Sequence, residues 1–233
     1  MIESPEELRA NLRDVRDAVT AAAARAGRDP ADVTLIGVTK TLPARVASWA
    51  VEAGLTDLGE NYVQELAEKR AAAAGARWHF IGRLQSRTAN RVADLADVVH
   101  SAVPGRALER LASRAAREHR RIPVLLQVDD AGAHAGVKPG DASEALRTID
   151  GLDGVEAIGL MTLPPEPRDP EESRPHFARL RELRDELRKR VPGLRELSMG
   201  MSLDYEIAVE EGATMVRVGT ALFGPRPSLD LDR

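Results

Sequence analysis

Val33-Thr-Leu-Ile-Gly-Val-Thr-Lys40 is an apolar run that closes on an amine. Its apolar residues follow one another instead of alternating with polar ones. That is the pattern of a strand covered on both faces, as in a parallel sheet flanked by helices. The closing lysine is unusual for this chain, which contains four lysines and 29 arginines. An amine whose pKa falls on burial can attack a carbonyl and form an imine, whereas a guanidinium stays charged. The plainer reading of Lys40, an ordinary cation at a strand end, stands beside that one.

Working outward, short apolar runs recur at Thr34–Thr39, Leu55–Leu58, Trp78–Ile81, Val98–Ser101, Val124–Val128, Ala157–Met161, Glu196–Ser198 and Met215–Val218. Between them lie amphipathic stretches at about 43–53, 61–74, 87–95, 105–119, 141–150, 171–190 and 204–211. Ahead of the first run, Ser4-Pro5-Glu6-Glu7 reads as a capped helix start, and Gly27 with Pro30 stops that helix. Eight strands alternating with helices predict an α/β fold, a single (β/α)8 TIM barrel with an extra N-terminal helix. An open doubly wound sheet is the competing arrangement. No Gly/Ser linker or change of composition divides residues 1–233, so one domain is expected.

Composition narrows the function classes. Aromatics make up 3% of the chain, so the core is built from Val, Leu, Ile and Ala. The net charge of −4 gives no general attraction to polyanions, and the arginine-rich stretches are interleaved with acids at helical spacing. Nucleic acid is therefore not an expected partner. Absence of cysteine removes disulfides, thiolate catalysis and cysteine-ligated metal. The start MIESPEEL does not read as a signal peptide, and no apolar run reaches membrane-spanning length. A cytoplasmic protein is expected, as a monomer, without membrane contact. The five histidines show no paired metal-ligand spacing, so no metal is expected.

In such a barrel, binding groups gather at the C-terminal ends of the strands. Lys40 ends the first strand, Asn61 follows the second, His79 lies near the end of the third, and Ser198-Met-Gly-Met-Ser202 and Arg217-Val-Gly219-Thr220 lie at the last two. Glycines permit close backbone approach, and the hydroxyls of Ser198, Ser202 and Thr220 are donors suited to a phosphate. Ser202 and Thr220 read equally as helix caps, Arg217 as a structural ion-pair partner, and His79 as a core residue. Together with the amine across the mouth, the set suggests a phosphate ligand bearing an aldehyde. Pyridoxal 5′-phosphate fits, with Arg217 facing the ring nitrogen and weakening the ring as an electron sink.

VTKT at 38–41, LGENYVQEL at 58–66, WHFIGRLQS at 78–86, GLMTLPP at 159–165, SMGMSLDYEIAVEEGAT at 198–214 and VRVGTALFG at 216–224 resemble, in order along the whole chain, the pyridoxal phosphate homeostasis proteins of the YggS or PROSC type. The resemblance implies a single barrel similar to the N-terminal domain of alanine racemase. It also implies a cofactor held as an imine on Lys40. The phosphate would rest on Ser198 or Ser202 with Gly219 and Thr220, Arg217 would face the ring nitrogen, and Asn61 and His79 would lie at or near the pocket. Arg83, Arg87, Thr88, Asp129 and His134 depart from the family pattern, which leaves the roles of their loops open.

Three functions compete. A binder that stores or delivers pyridoxal phosphate, with PLP-dependent apoenzymes as recipients, needs only the reversible link. An enzyme of the alanine racemase type needs a second acid/base opposite the lysine. The chain runs only 15 residues past Val218, which leaves no room for a second domain to supply it. A class I aldolase calls for carboxylates beside the amine, and Glu60 is the nearest by strand adjacency. The sequence favours the binder.

Overall fold

The structure, a computed structural model, describes residues 2–132 and 135–225. Eight parallel strands close into a barrel in sequence order: β1 Thr34–Val38, β2 Asp57–Glu60, β3 Arg77–Phe80, β4 Val98–Ala102, β5 Ile122–Gln127, β6 Val155–Met161, β7 Glu196–Ser198 and β8 Met215–Val218. The barrel shuts where β1 pairs with β8, Thr34 opposite Met215 and Gly37 opposite Val218. The closed ring excludes the open doubly wound alternative.

Helices follow the strands: α2 Ala44–Glu52, α3 Val63–Ala72, α4 Ala89–Leu95, α5 Arg106–Arg117, α6 Ala142–Asp150, α7 Arg174–Arg188, α8 Tyr205–Glu210 and α9 Thr220–Phe223, with α1 Pro5–Arg25 ahead of the barrel. Among the described residues, none of these helices is long and apolar enough to cross a membrane. At the start of α1, the Ser4 hydroxyl accepts from Glu7 N and the Glu7 carboxylate accepts from Glu3 N. Both bonds satisfy amides that the first turn leaves unpaired. Leu8, Leu12, Val15, Val19, Ala22 and Ala23 form its buried face. That face packs on α8 and α9, where Asn11 Nδ2 donates to Leu222 O at 2.9 Å. Each Leu or Val buried there stabilises the junction by about 1.5–3 kcal/mol.

The core has two shells. Most buried apolar side chains lie between the sheet and the helices, while a small set, Ile36, Val98, Leu125, Met161 and Met215, fills the barrel lumen. Side chains alternate across a strand. Ile36 therefore sets the inward alternation of β1 and Val98 that of β4; Met215 does the same for β8. This alternation decides which polar residues reach the lumen.

β2 starts two residues later than the apolar pattern suggests. Leu55 precedes the strand and packs against the outer side of the sheet, close to where a side chain at Gly37 would stand. A second difference lies at 61–62, where Asn61 and Tyr62 precede α3 and leave Asn61 in the loop at the strand's end.

Candidate functional site

Lys40 lies two residues beyond Val38 on the inward alternation set by Ile36, at the C-terminal mouth, and is partly buried. The chain turns sharply behind it, for Thr41 adopts φ 65°, a left-handed conformation costly to a β-branched residue. A buried ion cluster holds this turn. Lys69 of α3, 1% exposed, donates to Thr39 O at 2.6 Å, Glu60 Oε1 at 2.6 Å and Glu65 Oε2 at 2.7 Å. Glu65 Oε2 also accepts from Thr41 N at 2.7 Å, and Glu60 Oε1 accepts from the Thr39 hydroxyl at 2.6 Å. The residues on both sides of Lys40 are thus tied to one ammonium group. Burial holds the Glu60 carboxyl above the usual range, against the opposing pull of Lys69.

Asn61 follows β2 on the same inward alternation as Asp57 and Gly59. Its side-chain Oδ1 is buried without a hydrogen-bond partner. Such an acceptor is costly to leave unpaired, and at the mouth of a barrel it suits a ligand's donor. Gly82 backs it: a Cβ there would stand 2.0 Å from Asn61 O, so only glycine allows the two loops to meet.

Arg217, third in β8, follows Met215 into the lumen and is 3% exposed. Among the described residues it forms no ion pair. Instead Nη1 donates to Ser198 Oγ at 2.5 Å and Nη2 to Thr162 O at 3.0 Å. Burial without a counter-charge pulls its pKa down to about 10, so it remains a cation at neutral pH. Asp204 is the acidic group that opposes the shift.

Ser198 and His79 are fully buried and hydrogen-bonded inside the barrel. Ser198 is fully buried, and its hydroxyl lies 2.8 Å from His100 Nδ1 while it receives Arg217. A hydroxyl engaged on both sides inside the barrel has little capacity left for a phosphate. His79 is likewise fully buried, with Nδ1 2.9 Å from His100 Nε2 and Nε2 2.9 Å from Asp57 Oδ1. Both of its nitrogens are used within the lumen, in keeping with the core reading of this residue. Burial keeps both imidazoles below their usual pKa, His100 well below, although Asp57 opposes the shift at His79.

Ser202, Gly219 and Thr220 come together at the mouth. Ser202 Oγ accepts from Gly219 N at 3.1 Å and Ala221 N at 3.3 Å, while Thr220 is exposed beside them. The preceding loop is cinched by Asp204, which accepts from Met201 N at 2.7 Å and from the Ser173 hydroxyl at 2.7 Å. Its turn passes through Gly200 at φ 90°, where a Cβ would come within 2.5 Å of Ala208. A hydroxyl and two amides gathered on one point make a ready cradle for an anion.

The departing residues have local roles. Arg87 Nε donates to Gln85, Thr88 stands at the N-terminus of α4, and Asp129 Oδ1 accepts from Ala131 N and Gly132 N. His134 lies outside the described residues. A separate cavity of about 500 Å³ opens between α6 and α7 at the start of β6, lined by Arg121, Leu146 and Leu187, at the end of the barrel opposite Lys40.

The chain matches the family described as alanine racemase, N-terminal domain, over residues 5–227. It is 40% identical over 220 residues to the pyridoxal phosphate homeostasis protein of Aquifex aeolicus, covering 92% of this chain and 96% of that one. The chain belongs to the pyridoxal phosphate homeostasis protein family. A solved structure similar to this chain is PipY of Synechococcus elongatus with PLP bound, at TM-score 0.82 and 36% identity, covering 93% of this chain and all of that one. Alanine racemase of Clostridium difficile, at 15% identity and TM-score 0.75 over the whole of this chain and 65% of that one, shares the fold alone. Residues 38–41, VTKT, coincide with the turn that the Lys69 cluster holds.

Two features of this family site were not drawn from the sequence. Lys69 follows LGENYVQEL, and its spacing of four from Glu65 reads as a surface helix pair; only its rarity as one of four lysines marked it. The Asp57–His79–His100 series was readable in principle from strand alternation, since each residue shares its strand's inward parity.

Proposed function

We propose that this chain binds pyridoxal 5′-phosphate through Lys40 and serves to store or deliver it, with no strong turnover of its own. What supports this reading is that Lys40 follows the C-terminal end of β1, next to β8, whose Arg217 and following Gly219 and Ala221 gather with Ser198 and Ser202 at the same end of the barrel. The names of its relatives and the PLP held by PipY agree with it. When bound, the cofactor supplies an aldehyde, a phosphate and an aromatic ring nitrogen.

This chain's residues suit each of those parts. Lys40 offers the amine, and the Lys69 cluster fixes the backbone from which it projects. Ser202, Gly219 and Thr220 hold the phosphate, with Ser202 releasing its amides to the incoming anion. Asn61 contributes its unpaired buried oxygen to the pocket wall. Arg217 presents a permanent cation to the ring nitrogen, which discourages protonation there and with it the carbanion chemistry of a transaminase or decarboxylase. Tyr62 is 53% exposed and Tyr205 packs against the core, so neither is set as a second acid/base facing the lysine. Retention without turnover follows.

The test is reductive trapping. Incubation with pyridoxal 5′-phosphate, borohydride reduction and peptide mapping are expected to place the adduct on Lys40. Lys40→Ala is expected to remain folded by circular dichroism and to lose the yellow absorption band. An adduct on another lysine, or none, would overturn the assignment. Alanine racemisation at roughly 1 per second or faster would overturn the absence of turnover.

A further inference from the structure

Arg217 is held from below by a row of polar side chains that crosses the lumen from β2 to β8. The row runs Asp57, His79, His100, Ser198, Arg217, with successive contacts of 2.9, 2.9, 2.8 and 2.5 Å. It starts at the N-terminal end of the barrel, where Asp57 opens β2 with 22% of its side chain exposed, and ends beneath the mouth. No part of the cofactor reading requires it, for none of Asp57, His79 and His100 is at the mouth.

The two ends of this row fix the placement of its protons. Arginine can only donate, so Ser198 Oγ must accept from it, and the serine's own proton is left to pass to His100 Nδ1. At the other end, an ionised Asp57 can only accept, so His79 must carry its proton on Nε2. A neutral His79 then has a lone pair on Nδ1, which requires a proton on His100 Nε2. A neutral His100 in turn has a lone pair on Nδ1, ready for the serine. Read from either end, the solution is the same. The reverse order would set a lone pair of His79 against the carboxylate and leave the buried Ser198 proton without an acceptor.

We propose that Asp57, His79 and His100 are positioning residues that order a one-way hydrogen-bond relay, turning Ser198 into an obligate acceptor for Arg217 and aiming the guanidinium at the mouth. This rests on the cofactor reading only in what Arg217 faces; the direction of the relay does not depend on it. The arrangement supplies an acceptor to a buried arginine that forms no ion pair among the described residues. Beside the Thr162 carbonyl, its other acceptor is the neutral Ser198 oxygen, whose electron density is pushed toward the guanidinium by a chain anchored on a carboxylate. The other charges bearing on the two rings are Arg77 and Asp97 near His79, and Arg77 and Arg217 near His100.

The direction is tested on the free protein by ¹⁵N NMR of the imidazoles. His79 and His100 are both expected as neutral Nε2–H tautomers at pH 7. An Nδ1–H tautomer or an imidazolium at either ring would overturn the relay. The action on Arg217 is tested on the loaded protein by following the cofactor's absorbance against pH in Asp57→Asn and His100→Phe. A structural role alone would leave the midpoint unmoved, whereas positioning predicts a shift of about one pH unit. A wild-type midpoint in a fully loaded Asp57→Asn, which keeps the side chain's shape if His100→Phe fails to fold, would overturn it. Failure of the wild-type protein to take up pyridoxal 5′-phosphate would instead break the cofactor reading, and the tautomers would still decide the relay.

Discussion

On the outer face of β1 and β2, the carboxylates of Glu60 and Glu65 and the carbonyl of Thr39 meet around the single ammonium of Lys69; inside the barrel, Asp57, His79, His100, Ser198 and Arg217 form a row in which only the end groups are charged. In the proposed site, the two clusters back Lys40 and Arg217 respectively. The ionic one grips the backbone on both sides of Lys40. The dipolar one grips a side chain, Arg217, and must do so without neutralising it. A carboxylate against Arg217 would have held it more strongly and cancelled the charge that the proposed site needs. The contrast shows why the same barrel uses ion pairs outside and neutral dipoles inside.

The largest effect is expected where that contrast is broken on the ionic side. Lys69→Met leaves Glu60 buried, with Oε2 already unpartnered, and removes the donor to Thr39 O. A loss of about 3–5 kcal/mol in urea unfolding is expected. Adding Glu60→Gln is expected to return part of that loss, since it removes the uncompensated charge. Arg217→Met, whose partners are neutral, is expected to cost less, about 1–3 kcal/mol. Equal costs for the two single variants would show that the clusters do not differ in kind.

Acid separates them next. The two lumen imidazoles have native pKa values below the ordinary one, so above about pH 6.5 neither state binds a proton there and stability is full. As pH falls below that value the unfolded chain takes up protons that the native rings refuse. Stability is then expected to drop, by at most about 1.4 kcal/mol per pH unit for each ring and until the native ring itself takes up a proton, with His100 contributing more than His79. Asp57, whose native pKa is lowered, adds to the loss only below about pH 4. His100→Phe is expected to reduce the slope between pH 6.5 and 5, measured by denaturant unfolding at a series of pH values. An unchanged slope would place the titrating groups elsewhere.

Much of this architecture is legible in the sequence because it depends on local pattern. Continuous apolar runs mark the strands, and Lys40, Asn61 and Arg217 are found by asking what stands at strand ends. β2 is the instructive exception. Leu55 looks like the strand and packs outside it, whereas the strand begins at Asp57, a charged residue that reads as loop. Its carboxylate is accommodated because it faces a histidine 22 positions away, a pairing that no window of sequence contains. Lys69 fails for the same reason: its burial is set by Thr39 and Glu60, which the chain brings over from two other elements. His79 and Ser198 were found as polar residues near strand ends, but their partners across the lumen decide what they do.

The smallest effect on the fold, and the sharpest on the ligand, belongs to Ser202. Its hydroxyl takes the amides of Gly219 and Ala221, which stand at the mouth where water can replace it. Ser202→Ala is therefore expected to change unfolding free energy by no more than about 1 kcal/mol. A phosphate accepting from that hydroxyl gains a charge-assisted bond, so the same variant is expected to weaken retention of pyridoxal 5′-phosphate about tenfold in equilibrium dialysis. Neither polar cluster contacts Ser202, which makes it the control for both: its loss touches binding and leaves the acid slope and the Lys69 effect intact. The opposite order, a marked loss of stability with unchanged affinity, would make Ser202 a clamp joining the β7–α8 loop to α9 and would move the phosphate elsewhere on the rim.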